Sequence, residues 1–278
     1  MFLEKLAQES DRSFAPPGFS VGEIVGMGGM GVVYELLPDK KTKQNNPQVM
    51  KIVHPRLTTF LEAEVQLKHE AEIEMELANL TCVVRTLKYG LHSKGHGYKI
   101  MQLMEGYSLK AWLRQNPTRI QPLEISRHTQ FRRLFLNLAR NFEEVGIKMR
   151  LLKIMPIFKL LQEALGQVHQ QGIVHGDLKP NNVFLNKTGD GLRLFDFGLA
   201  HRTRDRERPF KTPFRAYTPL YASPAVLKGK LPDLEDDCYS LAAIFWEMLF
   251  GKDSLRVGHL PFKLKNFPEI LEILKPLL

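Results

Sequence analysis

The stretch Ile173-Val174-His175-Gly176-Asp177-Leu178-Lys179-Pro180-Asn181-Asn182-Val183-Phe184-Leu185, followed by Asp196-Phe197-Gly198, constrains this chain more than any other. It sets an acid, a lysine, an asparagine and a second acid at the spacing needed to grip two metal ions, a nucleotide triphosphate and an incoming hydroxyl. Transfer of a γ-phosphoryl group passes through a loose, highly charged transition state, so a protein that catalyses it mainly positions the reactants and neutralises charge. An Asp-Leu-Lys-Pro-Asn string alone is also an ordinary turn, which Pro and Asn favour by themselves. With Asp-Phe-Gly downstream, phosphoryl transfer becomes the stronger reading.

These residues resemble the catalytic and metal-binding loops of eukaryotic-type (Hanks-type) Ser/Thr protein kinases, and the likeness runs from about Phe19 to about Phe250. The glycine loop and compact form resemble bacterial members in style. The resemblance implies an α+β, bilobal protein-kinase-like fold, with a small β-rich N-lobe, a larger helical C-lobe and a shortened C-terminal end. It divides the chain into an N-terminal extension over 1–18 and a kinase domain over 19–278. Within that domain the N-lobe covers about 19–101, the hinge 102–104 and the C-lobe 105–278, with an insertion at about 118–150. It further implies ATP and Mg²⁺ as cofactors, bound between the lobes, and a Ser/Thr side chain of a protein substrate as acceptor. Asp177 is then the catalytic base for the attacking hydroxyl and Lys179 neutralises the transferring phosphoryl. Asn182 and Asp196 hold Mg²⁺, which favours oxygen ligands and keeps waters.

Phe19 to Val25 reads as a strand, with Val32 to Leu36 as its hairpin partner. Between them, Gly26-Met27-Gly28-Gly29-Met30-Gly31 fits the spacing Gly-x-Gly-x-x-Gly-x-Val, with Val33 last. Glycines at Gly26, Gly28 and Gly31 let a backbone approach phosphates closely. A dinucleotide-binding fold shows the same glycines but needs strand–turn–helix, whereas the β-rich segment after Gly31 argues for a hairpin. Val49 to Val53 reads as a third strand carrying Lys51, the residue that the resemblance assigns to the α- and β-phosphates. The family usually has Ala where Val49 stands, which implies a tighter ceiling over the adenine.

A helix is expected from about Thr59 to Leu80. Of its many glutamates Glu70 is chosen as the partner of Lys51, because Ile73 and Leu77 fall at i+3 and i+7 on its face; Glu72 and Glu74 come next. Tyr98 to Met101 resembles the fifth strand, with Met101 guarding the back of the adenine pocket. Gln102-Leu103-Met104 form the hinge, and Phe184 joins the nucleotide-binding residues. A helix through Trp112 follows.

After Asn116-Pro117 the chain departs from the family. The long helix before the catalytic loop is expected at Leu151 to Gln171, which leaves Thr118 to Arg150 mostly extra. There Ile125, Phe131, Phe135, Leu138, Phe142 and Val145 recur near helical spacing with arginines between them. The readings are an elaboration packed on the large lobe, or a docking helix for an acidic partner or membrane surface.

Gly176 stands where most regulated family members have an arginine that reads a phosphate on the activation segment, so phosphorylation at Thr203 or Thr212 is not expected to act through that contact. Thr218 in Thr218-Pro219-Leu220-Tyr221 is placed by the resemblance to bridge Asp177 and Lys179, which favours Ser/Thr as acceptor. Ala225 replaces the family's usual glutamate, and the chain stops at Leu278 before supplying that glutamate's arginine partner. Asp237 resembles the aspartate that braces the catalytic-loop backbone, and is also readable as a helix N-cap.

With 278 residues, 44% hydrophobic, the chain has room for two lobes around a sizeable core. Its two cysteines, Cys82 and Cys238, argue against a disulfide framework. No signal sequence is read at Met1 to Lys5 and no apolar run spans a bilayer, so the expectation is a cytoplasmic protein, or one exported without a cleaved signal. The net charge of +9 favours acidic partners. Its basic clusters, Arg114 to Lys159 and Arg202 to Arg215, lack an aromatic stacking platform, so no nucleic acid is expected. Two rivals keep a place. One is an ATP-binding pseudokinase scaffold; the other is a small-molecule phosphotransferase of the aminoglycoside or choline type, which shares the His-Gly-Asp-Leu opening.

Overall fold

The computed structural model describes residues 15–27, 31–39, 47–53, 61–92, 96–117, 132–205 and 217–258, with the backbone alone for Leu61 and for 132–145. In chain order the elements are β1 (Phe19–Met27), β2 (Gly31–Pro38), β3 (Gln48–Val53), α1 (Leu61–Glu76), β4 (Thr86–Leu91), β5 (Gly97–Gln102), β6 (Gly106–Ser108), α2 (Leu109–Gln115) and α3 (Arg132–Gln170). Then come β7 (Ile173–Val174), β8 (Val183–Asn186), β9 (Leu192–Leu194), β10 (His201–Arg202), α4 (Pro224–Leu227) and α5 (Leu234–Phe250). Strands dominate the N-terminal region and helices the C-terminal region, an α+β fold. The chain forms two compact units. The first comprises Met1–Gly106, Gln167–Gly176 and Arg193–Ala216; the second comprises Tyr107–Gly166, Asp177–Leu192 and Tyr217–Leu278.

The first unit is built on a five-stranded sheet in the order β1-β2-β3-β5-β4, with every neighbouring pair antiparallel. Side chains alternate across a strand, so each strand feeds two faces. Val32, Tyr34 and Leu36 of β2 join Met50 and Ile52 of β3 and Tyr98 and Ile100 of β5 in one buried cluster. Each fully buried side chain of this kind contributes roughly 1.5–3 kcal/mol. Val33, Val49 and Met101 fall on the opposite face. Lys51 and Lys99 share that face, because Lys51 is the register partner of both Val33 and Lys99.

Helix α1 packs Ala63 and Leu67 against Val53 of the sheet. It stops at Glu76 rather than near Leu80. Its last turn carries Glu74 and Glu76 and no basic residue, which opposes the helix dipole, and the chain leaves through i→i+3 bonds such as Ala78 N–H to Met75 O. Residues 54–60, where the helix was expected to begin, lie outside the described residues.

Helix α3, in the second unit up to Gly166 and in the first from Gln167, corrects the expectation most. The helix expected at Leu151 to Gln171 is one continuous element of 39 residues beginning at Arg132. It runs through Gly146 and Gly166, each costing only about 1 kcal/mol relative to Ala, and through Pro156. Residues 118–131 lie outside the described residues. Ile154, Phe158, Leu161, Leu165 and Val168 recur at helical spacing on α3 and are buried. Phe158 meets Phe245 of α5 with ring centroids 4.6 Å apart.

Helix α5 is buried along nearly its whole length. The N-cap is Asp233, not Asp237: the Asp233 carboxylate accepts from Glu235 N–H and Asp236 N–H, and Asp236 returns a bond to the Asp233 N–H, completing a capping box. Asp237 lies one turn further in and is buried. Ser108 and Ser223 cap α2 and α4 by accepting from Ala111 N–H and Val226 N–H, and Pro224 occupies the first turn of α4, where its missing N–H costs nothing. Among the described residues no helix is long and apolar enough to cross a membrane.

Candidate active site

The first unit gathers one half of the candidate residues. Gly26 of β1 stands opposite Val33 of β2, so the glycine segment joins two antiparallel strands; Gly28 lies outside the described residues. A Cβ on Gly31 would sit 2.4 Å from the carbonyl oxygen of Ile52. Glycine is therefore required there by close packing on β3, a reason distinct from approach to phosphate.

Lys51 Nζ donates to both carboxylate oxygens of Glu70 at 2.8 Å and lies 3.4 Å from Asp196 Oδ1. Among the described residues Glu70 is the α1 glutamate within ion-pair reach of Lys51. Burial disfavours the Lys51 ammonium, but Glu70 beside it, and then Asp196, outweigh that and hold its pKa above the ordinary lysine value. Asp196 takes the left-handed backbone conformation, φ 64° and ψ 61°, alone among the described non-glycine residues in having a positive φ. Such a conformation costs roughly 1–2 kcal/mol and gathers at functional positions. It aims a half-exposed carboxylate at Lys51 while Phe197 is fully buried against the His175 ring, 4.7 Å between centroids.

An apolar cluster completes this half: Val49, Val84 and Met101, with Val33, Leu103, Met104 and Phe195 packed on it. Gln102 and Leu103 donate their backbone N–H groups to Arg85 O and Pro47 O, which fixes the strand exit. Val84 and Phe195 were not singled out from sequence. Phe195 adjoins Asp196, which was the available signal; Val84 had none.

The second unit gathers the other half. Lys179 Nζ donates to Asp177 Oδ2 and, at 3.1 Å, lies within hydrogen-bond reach of Thr218 Oγ1. The Thr218 N–H donates to the other Asp177 oxygen at 3.3 Å, and buried Asn182 donates its amide to Asp177 O at 3.0 Å. The loop thus holds the Asp177 carboxylate between the Lys179 ammonium and the Thr218 backbone N–H, with the Asn182 amide on the Asp177 backbone carbonyl. Gly176, just before it, has φ 77°, a conformation that side chains rarely adopt. Phe184 lies half-buried on β8. Asn182 belongs to the second unit and Asp196 to the first.

A protein kinase domain model matches residues 19–266. The chain belongs to the protein kinase family. This kinase-family chain is 27% identical over 238 residues to serine/threonine-protein kinase pkn2 of Myxococcus xanthus, covering 84% of this chain and 24% of that protein. It is 27% identical over 241 residues to serine/threonine-protein kinase A of Synechocystis, covering 84% and 40%. Over 129 residues it is 35% identical to eukaryotic translation initiation factor 2-alpha kinase 1 of mouse, covering 40% and 21%. The chain therefore spans a quarter to two fifths of the two bacterial relatives' length.

Beyond the loop, the kinase chain carries a buried polar cluster that sequence reasoning missed. Glu247 of α5 accepts from Lys110 of α2 at 3.0 Å and from the Tyr221 hydroxyl at 2.5 Å. Burial, and then the neighbouring Glu247 charge, push the Tyr221 phenol well above its usual pKa, so it remains a donor. Arg150 and Lys153, within the basic segment, lie over the Trp112 ring at 5.3 and 5.8 Å, and Arg150 also donates to Met248 O near the C-terminus of α5.

Proposed function

We propose that the chain transfers the γ-phosphate of ATP to Ser or Thr side chains of protein substrates. The kinase domain would span 19–278, with the hinge at 102–104. Asp177 accepts the proton of the attacking hydroxyl and Lys179 neutralises the transferring phosphoryl. Asn182 and Asp196 supply the protein oxygens to Mg²⁺, and Lys51, oriented by Glu70, takes the α- and β-phosphates. Val33, Val49, Met101, Met104 and Phe184 line the adenine, with the backbone from Gln102 to Met104 for its polar edge and Gly26, Gly28 and Gly31 over the phosphates. One carboxylate and one amide oxygen suit a hard cation that completes its shell with phosphate and water.

The observation that carries this reading is the Asp177–Lys179–Thr218 network, with the Lys179 ammonium set between a carboxylate and a threonine hydroxyl. A lysine held there neutralises charge where a hydroxyl attacks, and Thr218 ties the substrate-docking segment to the loop. Of the basic residues in 118–150, Arg150 is engaged by the Trp112 ring and by Met248 O, and the side chains of 118–145 lie outside the described residues, so the reading of an acidic partner there gains no support.

The test is incubation of the purified chain with Mg-ATP and a generic basic protein, read by intact mass and peptide mapping, beside Asp177→Asn and Asp196→Ala. Phosphate on Ser or Thr that vanishes in both variants is the expected result. Tight Mg-ATP binding with no incorporation would replace this reading by a scaffold or by a small-molecule acceptor.

A further inference from the structure

Lys99 has a place that the proposed roles do not use. It lies on β5, 1% exposed, on the same sheet face as Met101, and its ammonium is 2.7 Å from Glu70 Oε1 and 2.7 Å from Glu74 Oε2. Glu70 Oε1 also receives the Lys51 ammonium at 2.8 Å. Glu70 is thus bracketed by two lysines from adjacent strands, only one of which is assigned to the nucleotide.

A fully buried lysine is rare unless paired, and a solvated strand face would not need one. Two cations opposed on neighbouring strands repel, so the arrangement stands only while a carboxylate lies between them. Lys99 also reaches Glu74, one helical turn beyond Glu70, and Glu74 Oε2 receives the Thr86 hydroxyl from β4. The second lysine therefore grips α1 at two successive turns, and Thr86 ties the further one to the sheet. Rotation of α1 about its axis would have to break both contacts before Glu70 could leave Lys51.

We propose that Lys99, through Glu70 and Glu74, is a positioning residue that fixes the rotation of α1 and so holds Glu70 on Lys51 even when no nucleotide is present. Lys51 alone, 17% exposed at its side chain, offers one anchor near solvent; Lys99 adds a dry one behind it. The charges match: the two ammoniums face Glu70 and Asp196, and burial, partly opposed by Lys99, raises the Glu74 carboxyl pKa toward its neutral form.

The activity arm of the test rests on the kinase reading; the exchange arm does not. In the double variant Lys99→Met, Glu74→Gln both buried partners become neutral, and such replacements are often neutral for stability. Expected are a melting temperature within a few degrees of wild type, kcat lower by roughly 10- to 100-fold, as a misplacement of about 1 Å can cause, and KM for ATP changed by less than about threefold. Lys99→Arg, which keeps a buried cation, should recover most of kcat. A folded double variant with wild-type kcat, or one altered only in KM, overturns the proposal. Amide hydrogen exchange of α1 needs no turnover and no double variant. Lys51→Met should leave α1 as protected as in wild type, because Lys99 still holds Glu70. Exchange of residues 67–76 accelerated tenfold or more in Lys51→Met would show Lys51 to be the sole anchor and sink the idea. If wild type transfers no phosphate, the kinase reading fails while the exchange result still decides the role of Lys99.

Discussion

Lys51 on β3 and Lys99 on β5 are direct register partners, and a single oxygen of Glu70 lies 2.8 Å from one ammonium and 2.7 Å from the other. Like charges opposed on neighbouring strands destabilise a sheet. The anion between them reverses that sign, so the three residues are one electrostatic unit, and substitutions at its members should behave differently from one another.

Glu70→Gln and Lys51→Met separate stability from activity. Glu70→Gln removes the anion and leaves two buried or half-buried cations opposed, which should cost about 3–5 kcal/mol, as breaking a buried pair does. Lys51→Met leaves Glu70 on Lys99, so stability should hold within about 1 kcal/mol while phosphate transfer drops by at least about 100-fold. Urea unfolding and single-turnover transfer, run on both variants, read the two quantities. Equal destabilisation in both would mean that Lys99 does not hold Glu70 alone.

Asp177→Asn preserves shape and removes the charge that accepts a proton. Asparagine can accept from the Thr218 N–H or from the Lys179 ammonium but not from both, since they meet different oxygens of Asp177; the Asn182 amide still holds the backbone carbonyl of residue 177 and should keep the loop in place. Transfer should fall by roughly 10²- to 10⁴-fold, the range for loss of a general base, with the Kd for Mg-ATP unchanged within about threefold. Transfer within tenfold of wild type would mean that Asp177 only orients the loop.

Thr218 tests whether the Lys179 contact matters to the acceptor. Thr218→Ala deletes a hydroxyl at 3.1 Å from a charged group; contacts of that class contribute about 1.5–3 kcal/mol. If the contact is made in the transition state, kcat falls by about 10- to 100-fold. Thr218→Ser, which keeps the oxygen, should recover most of it. Failure of serine to recover activity would assign the effect to the lost methyl group.

Short runs of β-branched, aromatic and other apolar residues made the sheet legible: β2, β3 and β5 are apolar on both faces, interrupted only by single charges such as Glu35, Lys51 and Lys99. The loop residues Asp177, Lys179 and Asn182 fall together because they are close in sequence, which spacing alone reveals. Other features had weaker signals. The start of α3 was obscured because the kinase resemblance leaves only a short turn before this helix, which set Thr118 to Arg150 apart as extra although the helix already begins at Arg132. The cap of α5 was read at Asp237, but Asp233 is equally suited chemically, and only backbone geometry selects it. Lys99 was overlooked although period-two alternation puts it on the Met101 face. A lysine in a strand reads as solvated unless the helix covering that face is known to bring carboxylates. Glu247 with Tyr221 and Lys110 joins residues from three separate segments, and no local pattern announces that.

Glu74 gives the stability a pH dependence of unusual sign. Burial raises its folded pKa, against the opposing pull of Lys99, while in the unfolded chain it ionises near the ordinary value of about 4.3. Between those two values the folded state binds more protons than the unfolded state. By linkage, stability then falls as pH rises through that window and levels off above the folded pKa. Glutamine cannot ionise and still accepts from Thr86 and Lys99, so Glu74→Gln removes this one contribution. The stability difference, variant minus wild type, should therefore grow from about pH 4 upward and then plateau. Urea unfolding of both proteins at several pH values between about 4 and 8 measures it directly. A difference of opposite sign, with wild type gaining on the variant as pH rises, would show that the Lys99 ammonium outweighs burial and that Glu74 is held as a carboxylate.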